Sequence, residues 1–166
     1  MITNYEFRDI RPDEFMQAAK IEQICFPPNE ACSEKSMTQR AMKASETFLV
    51  AVDKETGRIA GFLNGVATNE NVFRDEFFTD ITLHDPNGKN IMLLGLDGLP
   101  EYRHQGLARE IMTRYAERER AKGRKCLYLT CIDNKVEMYK KMGYTDNGIS
   151  GSAWGGEEWH DMSREI

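Results

Sequence analysis

Residues that could bind a polyanion stand together between positions 103 and 109. The segment reads Arg-His-Gln-Gly-Leu-Ala-Arg and lies between an apolar run and a long amphipathic stretch. The first turn of a helix has N–H groups without intrahelical partners and carries the positive end of the helix dipole. Gly106 lets the backbone approach a phosphate without an intervening Cβ, and Arg103 and Arg109 add charged donors. The segment predicts a site for a coenzyme pyrophosphate, although it could also simply begin a surface helix.

A second set of polar residues follows the next apolar run. Residues 126–131 read as a strand that leads into Asp133 and Asn134, and a short helix carrying Tyr139 comes next. A phenol is an adequate acid for a departing thiolate, so Tyr139 is a candidate proton donor. The alternative is that Tyr139 is an ordinary half-buried aromatic side chain.

The elements that must position these residues alternate between strands and helices, which predicts a mixed α/β sheet. Residues 90–99 are nearly all apolar, as expected for a central strand that is covered on both faces. Gly95 and Gly98 interrupt this strand and predict a bulge, although they could also only relieve crowding. A bulge would splay the strand from residues 125–131 and leave a slot with unpaired backbone groups for the amides of a pantetheine arm.

Together, the two segments resemble the GNAT superfamily of N-acetyltransferases over residues 45–149. Arg103-x-x-Gly106-x-Ala108 is similar to its acetyl-coenzyme A (acetyl-CoA) motif, and Asn134 and Tyr139 are similar to the polar residue and tyrosine after its next strand. The resemblance implies a mixed central sheet of about seven strands, flanking helices and a splayed, bulged central strand pair. It also implies acetyl-CoA as cosubstrate, without a metal, on the following residues: Leu96, Asp97, Gly98, Arg103, His104, Gln105, Gly106, Leu107, Ala108, Arg109, Asn134 and Tyr139.

Within that superfamily, the chain looks most like the arylalkylamine (serotonin-type) branch. Residues 25–33 resemble that branch's substrate-side loop, and Cys131-x-Asp133 fits its downstream pattern. Vertebrate members of the branch carry two histidines that are thought to pass the amine's proton through water. Met92 and Leu94 stand at those positions here, so the sequence predicts that this proton route is absent.

Acetyl transfer by direct attack needs a neutral amine nitrogen, a polarised thioester carbonyl and a proton for the thiolate. A backbone N–H within residues 96–98 could polarise the carbonyl. Glu70 and Asp97 are the expected carboxylates for proton removal, with Glu30 and His160 as further candidates. Five aromatic residues could form a wall for an arylalkylamine: Phe73, Phe77, Phe78, Trp154 and Trp159. Polyamines and a peptide's amino group remain open.

Composition limits the other function classes. The 166 residues predict a single domain, and the net charge of −5 argues against nucleic acid as a partner and suits a small cationic amine. The first residues lack a signal-peptide core, and no apolar run approaches the ~18–20 residues that span a bilayer, so a cytoplasmic location without membrane contact is expected. The four cysteines show no metal-ligand spacing. A homodimer is open, as is a catalytically idle acyl-CoA-binding module.

Overall fold

The computed structural model, which describes residues 4–166, contains a seven-stranded sheet. The strands are β1 (Tyr5–Asp9), β2 (Phe48–Asp53), β3 (Ile59–Thr68), β4 (Asn90–Gly98), β5 (Cys126–Cys131), β6 (Thr145–Ile149) and β7 (His160–Glu165). Their order across the sheet is β1-β2-β3-β4-β5-β7-β6. Neighbouring strands run antiparallel except for β4 and β5, which are parallel. The predicted mixed α/β sheet is therefore confirmed.

Helices cover both faces of this sheet. One face holds α1 (Phe15–Cys25), α2 (Glu34–Lys43) and the short α3 (Glu76–Thr79), and the other holds α4 (Leu107–Ala121) and α5 (Val136–Lys141). Strand β2 shows why two layers form, since all six of its residues are buried. Its Leu49 and Ala51 join the α4 side of the core, whereas alternate residues join the α1 and α2 side, as the period of two in a strand requires.

The sequence pattern predicts a helix from Pro12 to about Phe26 and another from about Gln105 to Lys122, and both begin later in the structure. Residues 12–14 form a separate 3-10 turn, and α1 begins at Phe15. The long helix α4 begins at Leu107, after Gly106, because Gly106 has left-handed backbone angles that cannot continue a right-handed helix. Among the described residues, no helix is long and apolar enough to cross a membrane.

Strands β4 and β5 pair at one end and separate at the other. Their Cα register covers three pairs, from Asn90–Cys126 to Met92–Tyr128, and then stops. On the other side of β4, the register with β3 shifts, so that Asn64 faces Gly95 while the next residue, Gly65, faces Leu93. Leu94 is thus the extra residue of a bulge. The predicted bulge and splay are confirmed, and the splay opens a slot through the sheet.

Candidate functional site

The predicted phosphate loop lies on the surface at the start of α4. Gly106 has φ 78° and ψ 15°, and no atom of the described part of the chain lies within 4 Å of the position that a Cβ on it would occupy. His104 also has a positive φ, of 64°, which is unusual for a residue other than glycine. With these backbone angles at His104 and Gly106, the exposed residues 103–106 lie ahead of the first helical turn. The N–H groups of that turn have no intrahelical partner and can bind an anion.

The two arginines of this loop use some of their N–H groups for hydrogen bonds within the protein. The Nε of Arg103 donates to the carbonyl of Gly98 at 3.0 Å, so its side chain turns back onto the end of β4. A terminal nitrogen of Arg109 donates to the carbonyl of Lys141 at 3.3 Å. Both side chains are exposed. Each guanidinium has five N–H donors, so further donors remain for a ligand.

The slot between the splayed strands lies beside this loop. Strand β4 lines it with residues 93–96, β5 lines it with residues 129–131, and Tyr139 lines it from α5. Leu96 is therefore in the slot, whereas Asp97 is buried behind it at 2% exposure, and Asn134 is exposed in the turn before α5. Backbone groups of β4 beyond Met92 have no β5 partner in this register and face the slot.

Tyr139 is held as a neutral phenol. Burial, followed by the nearby Cys131 and Asp97, raises its pKa above the ordinary value. Its ring packs edge-on against Tyr144, with ring centroids 5.8 Å apart. A fixed phenol that keeps its proton is suited to donating a hydrogen bond to a sulfur that becomes negatively charged.

The far side of the slot is aromatic. Phe26, Phe78, Trp154 and Trp159 line it, and Phe78 stacks on Trp154 with centroids 4.6 Å apart. Phe78 and the two tryptophans were among the five residues expected there. Phe73 and Phe77 instead pack in the core beside Met92. Phe26 was missed, although the two prolines after it end α1 and leave its ring at the helix end.

A carboxyl pair stands at the mouth of this aromatic region. Glu30 lines the slot, and its pKa is raised to about 7 by burial first and then by hydrogen bonding and repulsion from Glu157, partly offset by Lys135. The indole N–H of Trp154 donates to the Glu30 carbonyl at 2.8 Å, which fixes the backbone of this residue. A carboxyl group with a pKa near neutrality can exchange a proton and can attract an ammonium group.

Comparison with known proteins agrees with this geometry. Residues 8–144 match the Acetyltransferase (GNAT) family. The chain belongs to the GNAT family of acetyltransferases.

Solved structures of low sequence identity show the same fold. One is a GphF GNAT-like decarboxylase in complex with isobutyryl-CoA (16% identity, 96% of this chain and 98% of that one, TM-score 0.79). Another is a phosphinothricin acetyltransferase from Sinorhizobium meliloti with acetyl-CoA (14%, 99% and 89%, 0.69), and a third is the PaiA N-acetyltransferase from Thermoplasma acidophilum with coenzyme A (14%, 99% and 100%, 0.69). A comparison with curated proteins finds no match.

Glu70 and His160, two of the candidates for proton removal, lie away from the slot. Glu70 accepts two hydrogen bonds from Arg74, at 2.7 and 2.8 Å, which lower its pKa, and it is not among the residues that line the slot. His160 lies between the carboxylates of Asp133 and Asp146, each 3.2 Å from a ring nitrogen. Within residues 4–166, no three His, Cys, Asp or Glu side chains are arranged to hold a metal ion.

Asp97 was expected at the slot, but its acidic partner Glu22 was not. Asp97 lies beside Glu22 of α1, which is 4% exposed and lines the slot. Burial, followed by the negative charge of Glu22, raises the pKa of Asp97 well above its ordinary value. The sequence does carry a signal for Glu22, because it falls four residues after Ala18 and next to Ile21, on the apolar face of α1.

Proposed function

We propose that this GNAT protein transfers an acetyl group from acetyl-CoA to a small primary amine by direct attack within a ternary complex. The observation that carries the proposal is the slot, which opens where β4 and β5 separate and lies beside the free N–H groups at the start of α4. Related folds that hold acetyl-CoA or coenzyme A support it.

The coenzyme would extend from the α4 loop into the slot. Its pyrophosphate would accept hydrogen bonds from the backbone of residues 106–109, with Arg103, His104, Gln105 and Arg109 around it. The amides of its pantetheine arm would bond the free edge of β4 at residues 96–98, and Asn134 would contact the arm from the side of β5. This arrangement leaves the thioester between β4 and Tyr139.

The acceptor would enter from the opposite, aromatic side. Four aromatic rings favour an arylalkylamine over an aliphatic polyamine, because they can pack against an aryl group. The acidic pair of Glu30 and Glu157 at the mouth would attract the ammonium form of the substrate. Phenethylamine is therefore a suitable probe acceptor.

The chemistry follows from these positions. The neutral amine attacks the thioester carbonyl, a β4 N–H stabilises the oxyanion, and the C–S bond breaks as the amide forms. Tyr139 donates to the departing thiolate, which ends with the proton that the attacking nitrogen loses. Replacement of Tyr139 by Phe keeps the ring and removes the donor. We expect it to lower kcat by on the order of 10²-fold with little change in acetyl-CoA affinity, measured by thiol release and calorimetry.

The phosphate loop provides the sharpest test of coenzyme binding. Asp and Asn both tolerate the left-handed backbone of residue 106 and are nearly isosteric, but only Asp adds a negative charge. We expect Gly106→Asp to abolish acetyl-CoA binding in calorimetry and Gly106→Asn to weaken it far less. Equal affinities of the two variants would show that no phosphate lies there.

A catalytically idle acyl-CoA-binding module is the alternative, because Met92 and Leu94 replace the histidine pair of the branch that the chain resembles. Both residues belong to the apolar cluster around Phe73, so neither supplies a proton route. Thiol release from acetyl-CoA with a panel of primary amines separates the two functions. Tight coenzyme binding without turnover on any amine would favour the module.

A further inference from the structure

A buried polar cluster lies behind β4 at the level of the slot. It consists of Glu22 from α1, Arg40 from α2, Asn64 from β3 and Asp97 from β4, and none of these residues is more than 4% exposed. Side chains of this kind are rarely buried without a reason, because removing a charge from water is costly. The cluster is formed by four separate elements, so the fold itself maintains it.

Most carboxylate oxygens of this cluster lack a partner. One oxygen of Glu22 accepts the N–H of Cys32 at 3.0 Å. The other oxygen of Glu22 and both oxygens of Asp97 have no hydrogen-bond donor among the described residues. Three unsatisfied buried oxygens in one place destabilise the fold unless one carboxyl is protonated or a ligand supplies donors. An amine nitrogen is such a donor.

Gly95 leaves a passage between this pair and the slot. Gly95 lines the slot, and a Cβ on it would lie 3.2 Å from an oxygen of Asp97 and 3.5 Å from the free oxygen of Glu22. Any side chain at this position would therefore stand between the carboxyls and the slot. The absence of one brings both carboxyls within reach of a group that binds against β4.

The charges around the pair favour the uptake of one proton. Arg40 donates to Asn64 at 3.3 Å and to the Phe78 carbonyl at 2.9 Å, so its single positive charge is near the carboxyls without bonding either. The other titratable groups near the pair are the thiols of Cys25 and Cys32 and, on the side of Asp97, the phenol of Tyr139, and burial raises the pKa of all three. Two buried carboxylates beside one cation leave an excess negative charge, so the ionised pair takes up one proton strongly, and an ammonium group in the slot can supply it.

We propose that Glu22 and Asp97 act together as the proton acceptor for the amine, which reaches them at Gly95. The inference rests on the proposed acetyl-transfer function. An ammonium nitrogen gives one proton to the pair and becomes nucleophilic, the C–N bond forms as the C–S bond breaks, and the nitrogen's second proton goes to the thiolate. The pair returns its proton to solvent after the amide leaves. Because burial and repulsion raise the pKa of Asp97, the doubly ionised pair is a stronger base than a free carboxylate.

The test compares two acceptors of nearly the same shape. Phenethylamine is cationic at pH 7, whereas its β,β-difluoro analogue is much less basic and is largely neutral. The double variant Glu22→Gln with Asp97→Asn keeps both side-chain shapes, and the Gln oxygen can still accept the Cys32 N–H. We expect kcat/KM at pH 7 to fall by about 10²–10³-fold for phenethylamine and by less than about tenfold for the analogue. The rate of the variant on phenethylamine should then rise about tenfold per pH unit, as the free amine accumulates.

A second variant covers the case in which the double variant does not fold. Gly95→Ala keeps both carboxyls but closes the passage, with a shift of a few tenths of an ångström at Asp97, and should show the same selective loss. Equal losses on both acceptors, or no loss, would overturn the inference. So would a selective loss in Glu30→Gln alone, which would assign the proton to the mouth of the slot. Wild-type protein that binds acetyl-CoA and acetylates neither amine would reject the proposed function itself.

Discussion

The two ends of the β4–β5 pair each hold buried acidic residues, in opposite states of hydrogen bonding. At the paired end, Glu119 of α4 is 1% exposed, and its two oxygens accept from Arg124 at 3.0 Å and Lys122 at 2.8 Å. Arg124 also donates to the carbonyls of Pro86 and Gly88, just before β4. At the splayed end, three oxygens of Glu22 and Asp97 have no partner within residues 4–166.

The two ends of this strand pair therefore differ in role. One stabilises the fold, and the other keeps oxygens that can bind a proton. A buried carboxylate whose oxygens are all bonded holds its surroundings together, and here it joins the segments that lead into β4 and β5. A buried carboxylate with free oxygens costs stability and keeps its proton-binding capacity for a ligand. The paired end, which we call the closed end, therefore fixes the strands. The splayed end, which we call the open end, can then keep carboxylate oxygens without partners between them.

The largest expected effect comes from breaking the closed end. Arg124→Met removes the cation and three donor contacts while preserving much of the side-chain volume, and it leaves Glu119 buried without its main partner. We expect the free energy of unfolding to fall by about 3–5 kcal/mol in urea denaturation. Adding Glu119→Gln should recover part of this loss, because a neutral amide is cheaper to bury. A loss below about 1 kcal/mol would mean that the closed end does not depend on this ion pair.

The open end should respond in the opposite direction. The pKa of Asp97 is raised in the folded state, so its contribution to stability is present at low pH and is lost as the pH rises through the folded pKa. Asp97→Asn cannot ionise and escapes this loss. We expect the unfolding free energy of the variant, relative to wild type, to increase from pH 5 to pH 9 by about 1–2 kcal/mol. A variant that is less stable by the same amount at every pH would make the pair an ordinary structural contact.

The sequence predicts the strands, the bulge and the splay better than it predicts the buried acidic contacts at the two ends. Periodicity and the two glycines of β4 were enough for the sheet, the bulge and the splay, because those depend on local patterns. The partnership of Glu22 with Asp97 depends on how α1 packs across β4, and no spacing in the chain encodes that contact. Glu70 shows the converse: a carboxylate that was expected to remove the amine's proton is held by Arg74, four residues away. The roles given to Tyr139 and the α4 loop stay predictions.

The smallest expected effect concerns Glu30 and Glu157 at the mouth of the slot. Their carboxyls are more exposed than those of the inner pair, Glu22 and Asp97, and are therefore better screened by solvent. Burial first, and then Glu157, raises the pKa of Glu30 to about 7, so Glu30 gains its negative charge between pH 6 and pH 8. We expect the KM for phenethylamine to fall about two- to fivefold over that range, the size typical of an exposed charge interaction.

In Glu157→Gln, the pKa of Glu30 loses the contribution of its neighbour but keeps that of burial, so it moves down and the fall in KM should begin at a lower pH than in wild type. Glu158→Gln removes the same charge from the adjacent exposed residue and should keep the wild-type slope. If both variants kept that slope, the mouth would play no part in attracting the amine. The inner pair at Gly95 would then be the only acidic group of the open end that acts on the substrate.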